Sequence, residues 1–416
     1  MALPALLLAA AAAFPLGAGT DGVLVEDHRA AVVTVVVEIP VGTWSPWVRE
    51  HHAADAFRYQ LDDPDRALRK RADALAAYLS PQVDDRHAAL RATCLKRDLP
   101  EMLALVHDVL RNTRYDRDKL RRDRRAAEIE WRGRETDVQF RLMQAAARSL
   151  FAEGDPRRRA YEKPDAIETD PEKLVAARDA MLRFPGRVIG FAGDLTEQEA
   201  RDAAKDLLPP ADVAPPADVP FVLSPLLPPK PGDQDVPIRK LTQVYFADVR
   251  DSLPWNDADR PAFKIANHVL GGHFYSRLYV ALRHEAGDTY GAGTREEGDA
   301  VPGFYGAVTF TRAANAAETE AKLRKTMTTF HDAGITEQER ADAVSYLRGH
   351  RAFARQSASQ ILDRYLTERR LGLASGTLDA QIDRASSLSL DDVNRFIERF
   401  YDPGRFTLLR AVSSSR

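Results

Sequence analysis

Cysteine is nearly missing from this sequence: Cys94 is the single one among 416 residues. That excludes an internal disulfide framework and a Cys-rich zinc site. Charge of one sign is lacking as well. The 59 Lys and Arg against 62 Asp and Glu leave a formal net charge of −3. No overall field therefore draws the chain to nucleic acid or an anionic membrane. A convincing membrane span is also absent. The apolar run at the N-terminus is Ala-heavy and short for a bilayer crossing, so no integral span is expected.

What remains is a chain with 44% hydrophobic and 29% charged residues, in which apolar periodic segments recur. Such a pattern argues against overall disorder. At roughly 100–200 residues per domain, the length suggests two or three domains, each large enough for a core without staples. Residues 1–20, MALPALLLAAAAAFPLGAGT, read as a leader: an apolar run followed by small residues, without the expected Lys or Arg at its start. A soluble apolar N-terminal helix is the other reading. Export to the periplasm follows if the leader is genuine, a cytoplasmic location otherwise.

Ten of the 25 prolines lie between Pro209 and Pro237. Proline at that density removes backbone donors and favours extended segments, so 209–237 is assigned as a semi-rigid linker. It separates an N-terminal lobe, 21–208, from a C-terminal lobe, 238–416. The lobes echo one another. Each opens on a β-branched strand, Val32–Ile39 or Gln243–Val249, turns helical, and closes on a strand introduced by Pro-Gly-Arg at 185–187 or 403–405. An α+β fold of two duplicated lobes follows, each a mainly antiparallel sheet packed with helices. Cys94 falls in a strand expected to be buried, as a packing thiol. The basic stretch from Arg114 to Arg125 is interrupted by Asp116, Asp118 and Asp123 at i,i+3 and i,i+4 spacings, and reads as a solvated, salt-bridged helix.

Several strings resemble the pitrilysin/insulinase metallopeptidase family. In the first half these are LKRDLPEMLALVHDVL from Leu95 and RRDRRAAEIEWRGRETD from Arg121. In the second half, IANHVLGGHFYSRLYVALRHEAGDTYGAGT from Ile265 is the most specific, followed by GFYGAVTF from Gly303. The resemblance covers nearly the whole chain from Val32 to Val412. It implies repeated α+β lobes forming half of a clam shell around a peptide-admitting chamber.

The family's chemistry uses an HxxEH helix, in which two histidines one turn apart bind zinc and the glutamate acts as general base. A Glu further along the chain is the third ligand. Neither HxxEH nor HExxH occurs in this sequence. The corresponding region, Val41–Asp65, aligns in three registers. One puts Asp55, Arg58 and Tyr59 at the His, Glu and His positions; the others use His52, Asp55 and Ala56, or Trp47, Glu50 and His51. In the first register, which fits its flanks best, Arg58 stands where the general base belongs. Glu130 matches the distal metal ligand and Asp123 an acidic position before it. His51, His52 and Glu130 are thus the relic candidates for a metal, and no cofactor is expected on this chain.

The second lobe keeps what the first has lost. By resemblance, Arg283 and Tyr290 match the arginine and tyrosine that the family's non-metal lobe sends into the active site. A guanidinium fork and a phenol are suitable donors for a peptide backbone and a developing oxyanion. His268 and His273 read as capping or packing residues. The leading expectation is therefore a proteolytically degenerate subunit of a heterodimer, acting on peptides by supplying Arg283 and Tyr290 in trans to a zinc-bearing partner. A structural or binding subunit without peptidase role is the first alternative. An active zinc peptidase with a rearranged site is the second.

Overall fold

The computed structural model describes residues 10–416 except 18, 217–222, 229, 240, 285–288, 290, 298–301 and 415–416. In chain order it begins with β1 (Ala12–Gly17), β2 (Thr20–Glu26) and β3 (Val32–Ile39), then α1 (Pro46–Glu50), α2 (Ala53–Arg58) and α3 (Ala67–Ala74). Next come β4 (Tyr78–Val83), β5 (Ala88–Leu95), α4 (Leu99–Arg111), α5 (Arg117–Arg134), α6 (Val138–Leu150) and α7 (Pro156–Arg159). The first half ends with α8 (Pro171–Met181), β6 (Arg187–Gly193) and α9 (Glu197–Ala204). The second half runs β7 (Gly232–Ile238), β8 (Gln243–Asp251), α10 (Arg260–Gly271), α11 (Arg277–Tyr279), β9 (Ala292–Glu297) and β10 (Phe304–Arg312). It closes with α12 (Ala316–Ala333), α13 (Glu337–Phe353), α14 (Ala358–Arg370), α15 (Thr377–Ser387), α16 (Leu390–Phe400) and β11 (Thr407–Ser413).

The strands form two sheets, ordered β1-β2-β6-β3-β5-β4 and β7-β11-β8-β10-β9. Without β1 the orders correspond strand for strand. In each, the strand introduced by Pro-Gly-Arg lies between one parallel neighbour, β2 or β7, and one antiparallel neighbour, β3 or β8. The remaining pairings are antiparallel. The duplication read from the two Pro-Gly-Arg strands is thus a duplication of topology. Its partner strand β7 comes from the end of the proline-rich stretch, and Pro237 is tolerated there because β7 is an edge. Ala12–Gly17, within the assigned leader, is the added edge strand β1, and its Phe14 is buried.

The chain divides into two compact units that are discontinuous in sequence. The first comprises Met1–Glu128, Asp165–Val222 and Phe353–Arg370; the second comprises Ile129–Pro164, Leu223–Ala352 and Leu371–Arg416. In the first, β3 reads VVTVVVEI and only its first residue is exposed. A strand without polar alternation needs cover on both faces. One face carries Val33, Val35 and Val37 against residues of α2, α4 and α8. The other carries Val23, Val36 and Val188 against Ile361, Leu362 and Leu366 of α14, a helix from the second half of the sequence. Gly190 admits that helix, since a Cβ there would lie 2.9 Å from Leu362 Cδ1.

The second unit repeats the plan. Phe246, Tyr305 and Leu408 pack with α10, α12 and α16 on one face. Ala247, Val249 and Leu409 pack with Leu142, Met143 and Ala146 of α6 on the other, and α6 comes from the first half of the sequence. Cys94 is buried in β5 within the first core.

Candidate functional site

The region matching the zinc helix is not one helix. Ser45 accepts the Val48 N–H at 3.3 Å and starts α1, with Pro46 in the first turn. The helix stops after five residues. His52 then takes a left-handed backbone, φ 54°, and α2 begins. A non-glycine residue in that conformation carries local strain. The break separates the two histidines. The His51 ring stacks on Trp47 at 4.7 Å, with Nδ1 3.0 Å from the Trp47 carbonyl. His52 instead lies beside two carboxylates, Nδ1 3.8 Å from Asp55 and Nε2 3.7 Å from Glu168.

Asp55 and Arg58 lie in α2, and Tyr59 caps its C-terminal end. Their surroundings are those of a closed polar cluster. The Glu168 N–H donates to Asp55 Oδ2 at 3.0 Å. Burial nevertheless holds the Asp55 carboxyl above its ordinary range, against that hydrogen bond and the nearby Arg58. Burial, then the charges of Asp55 and Asp123, push the Tyr59 phenol up to about 12. From α5, the Lys119 ammonium lies 2.8 Å from Asp123 and 2.9 Å from Asp62. Burial works against its charge, but the bonds to these two carboxylates hold Lys119 above its ordinary range. Asp123 is thereby balanced by a side-chain cation of the same chain.

Glu130 lies elsewhere in its interactions: 65% exposed, it pairs with Arg134 at 2.8 Å along α5. Among the described residues, no group of three or more His, Cys, Asp or Glu side chains is placed to hold a metal ion. His51, His52 and Glu130 are not drawn into such a group. A site fit for zinc needs three or four ligands converging on one point, and the donors here converge on one another or on Lys119. The contacts of Glu168 with His52 and Asp55 were invisible in sequence, because 113 residues separate Glu168 from Asp55. The i,i+4 pair Lys119–Asp123 was visible. Elsewhere α5 behaves as a solvated ion-pair helix, with Arg117 on Asp170 at 3.2 Å and Arg121 on Asp118 at 3.5 Å.

In the second unit, α11 runs into a wide helical turn, Val280–His284, of the i to i+5 type. Single π turns of this kind recur at functional sites. Arg283 stands in it, exposed, its guanidinium 4.9 Å from the Tyr279 ring centroid. Phe274, 70% exposed, meets Tyr279 edge-on at 5.2 Å. Tyr290 lies outside the described residues. Arg277 is structural, gripping Glu339 with two bonds of 2.8 Å. His268 stacks between His273, at 4.3 Å, and Tyr346, at 4.2 Å. His273 Nδ1 caps the turn by accepting the Tyr275 N–H at 3.1 Å. Neither histidine belongs to a group of three or more metal-ligating side chains among the described residues.

Comparison with known proteins finds a family match over part of the chain. Residues 171–347 match the family described as the peptidase M16 inactive domain. The chain is 27% identical over 135 residues to the non-peptidase homologue YmxG of Helicobacter pylori, covering 32% of this chain and 31% of that protein. It is 22% identical over 236 residues to human mitochondrial cytochrome b-c1 complex subunit 1, covering 52% and 45%. The matches thus span less than half of either curated relative. In fold, the chain is similar to the peptidase M16 inactive domain of Pseudomonas fluorescens, with a TM-score of 0.82 at 16% identity and 98% of both chains covered. It is also similar to the periplasmic protease PqqL of Escherichia coli, with a TM-score of 0.78 at 13% identity, over 98% of this chain and 46% of that one. No helix among the described residues is long and apolar enough to cross a membrane. The family match over residues 171–347 and the missing HxxEH motif together fit a degenerate member of the M16 peptidase family.

Proposed function

We propose that this chain is the zinc-free subunit of a heteromeric M16 peptidase, and that its Arg283 and Tyr290 complete a peptide-cleaving site whose zinc is held by a partner chain. The observation that carries the reading is the state of Arg283. It is exposed at the end of a π turn, braced on the Tyr279 face, and no carboxylate among the described residues pairs with it. An arginine kept for stability would be expected to sit on an acid, as Arg277 sits on Glu339. One braced on an aromatic ring and exposed can present its fork to a peptide carbonyl and to the oxyanion formed from it.

The test combines the purified chain with a zinc-bearing M16 chain of the same organism and measures hydrolysis of a fluorogenic peptide. Arg283→Ala should leave co-elution intact and lower kcat by roughly 100–1,000-fold, the usual loss for one oxyanion donor. Full activity of that variant in the assembled complex would refute a role in trans. A second reading, a structural subunit without peptidase role, draws on the non-peptidase homologue and the respiratory-complex subunit among the relatives. A stable homodimer that recruits no zinc-bearing chain would favour it. Likeness to a periplasmic protease supports export. Fractionation of cells expressing the full chain tests that assignment.

A further inference from the structure

Within the first unit a cleft of about 540 Å³ opens between β1, the start of β6 and the C-terminal turns of α4 and α9. Its volume is that of a small-molecule site, about 300–1,000 Å³. Four cations line it, Arg111, Arg187, Arg201 and Lys205, against one carboxylate, Asp206. Arg201 is neutralised by Glu197, at 2.7 Å. Arg111 and Lys205 are exposed, and among the described residues neither has an acidic partner. Arg187 is only 1% exposed, and its hydrogen bonds include those to the Leu182 carbonyl at 2.5 Å and to the Pro209 carbonyl and Thr20 hydroxyl, each at 2.7 Å.

Helix ends account for part of this. Arg111 and Arg201 stand in last turns, where the helix dipole favours a cation. That argument does not reach Arg187, the first residue of a strand, whose charge is buried at considerable desolvation cost. Apart from Thr20, the rest of the lining is apolar, with Leu16 and Leu208 among it. A bare inorganic anion would use the cations and leave that apolar wall idle.

We propose that this cleft binds a small amphipathic carboxylate, its anionic group between Arg111 and Lys205 above the buried Arg187, and its apolar body against Leu16 and Leu208. The proposal is independent of any peptidase role. The carboxylate could belong to a free organic acid or to the C-terminus of a short peptide, since both present the same group beside an apolar chain.

Isothermal titration of the purified chain at constant ionic strength separates the cases, with hexanoate, N-acetyl-Ala-Leu, hexanamide and inorganic phosphate as probes. Saturable binding of hexanoate or of the dipeptide, without binding of hexanamide, is the expected result, and the tighter of the two identifies the source. The double variant Arg111→Gln/Lys205→Gln, which alters only exposed side chains, should weaken that binding by about tenfold or more. Equal binding of hexanamide, binding of phosphate alone, or undiminished affinity in the double variant would overturn the proposal. So would the absence of saturable binding by either carboxylate.

Discussion

Arg370 grips Glu38 with Nε at 2.8 Å and Nη2 at 2.6 Å, although 332 residues separate them in sequence. Glu38 lies in β3 with 3% of its side chain exposed, and Arg370 is the last residue of α14. The pair is one of several polar straps on that helix. Arg91 pairs with Asp363, Arg369 with Asp21 at 2.8 Å, and Thr34 with Ser359 at 2.9 Å. Together they hold a helix from the end of the chain on a sheet built from its beginning.

Removing one member of that pair should cost far more than removing both. Arg370→Met leaves the Glu38 carboxylate buried, with the His87 ring 3.9 Å away. A loss of about 3–5 kcal/mol is expected in urea unfolding. The double variant Glu38→Leu/Arg370→Met should recover most of it, because no charge is then stranded. Equal losses in the single and double variants would show that packing of α14, not the ion pair, is what Arg370 supplies.

The added strand β1 makes a separate prediction. Phe14 is 5% exposed, covers Gly22 so closely that a Cβ there would lie 2.1 Å from its ring, and has the Arg201 guanidinium 4.6 Å from its centroid. Phe14→Ala in the full chain should lower stability by about 3 kcal/mol. An unchanged denaturation midpoint would mean that Ala12–Gly17 contributes nothing to the folded sheet in solution.

Acid sensitivity should arise in the stacked histidines. Burial, and then the nearby His273, bring His268 down to about 4 from an ordinary 6.5. With the folded value depressed, the unfolded chain binds the proton first. The stabilisation is therefore complete above about 6.5 and is lost as pH falls toward 4. His268 is only half-buried, so the effect should be about 1–2 kcal/mol after solvent screening is allowed for. His268→Gln should flatten the stability profile across that window, and a profile that stays steep would assign the slope to other groups.

Asp248 should act in the opposite sense. Burial pushes its carboxyl from 3.8 up to about 7, with Arg324 opposing and Asp233 reinforcing. A raised folded value means that stability is full below about 4 and is lost as pH rises toward 7. Asp248→Asn should therefore be more stable than the parent at pH 7.5, by roughly 2 kcal/mol, and should show no advantage at pH 4. Equal stability at both pH values would place the Asp248 carboxylate in solvent contact.

The alignment of the zinc helix can be tested by rebuilding it. Asp55→His, Arg58→Glu and Tyr59→His together restore two imidazoles one helical turn apart with a glutamate between them. Saturable zinc binding by this triple variant, with none by the parent chain under the same titration, is expected. If the triple variant takes up no zinc while His51 or His52 variants of the parent alter metal uptake, the register is wrong.

Local pattern was enough for the elements and for the repeat. β3 stands at Val32–Ile39 as read, because eight residues dominated by β-branched side chains have few alternatives. The Pro-Gly-Arg strands β6 and β11 take equivalent places in their sheets. The loss of the zinc motif and the salt-bridged character of α5 were likewise legible, since both depend on residues within one or two turns of each other. Strand β4 was not, because it is an edge with mixed polarity and carries little period-2 signal.

What only tertiary structure decided is which segment covers which sheet. Nothing in the sequence of α14 says that it packs on β2 and β6, or in α6 that it packs on β8 and β11. An amphipathic helix specifies that an apolar face must be buried but not where, and the energy of burial is non-directional. The choice is made by shape and by a few long-range polar contacts: Gly190 under Leu362, and Arg370 on Glu38. The fate of the old metal locus was decided in the same way. Residue types established that the HxxEH motif is missing, while Glu168 and Lys119, brought in by other elements, determined what Asp55, Asp62 and His52 lie against.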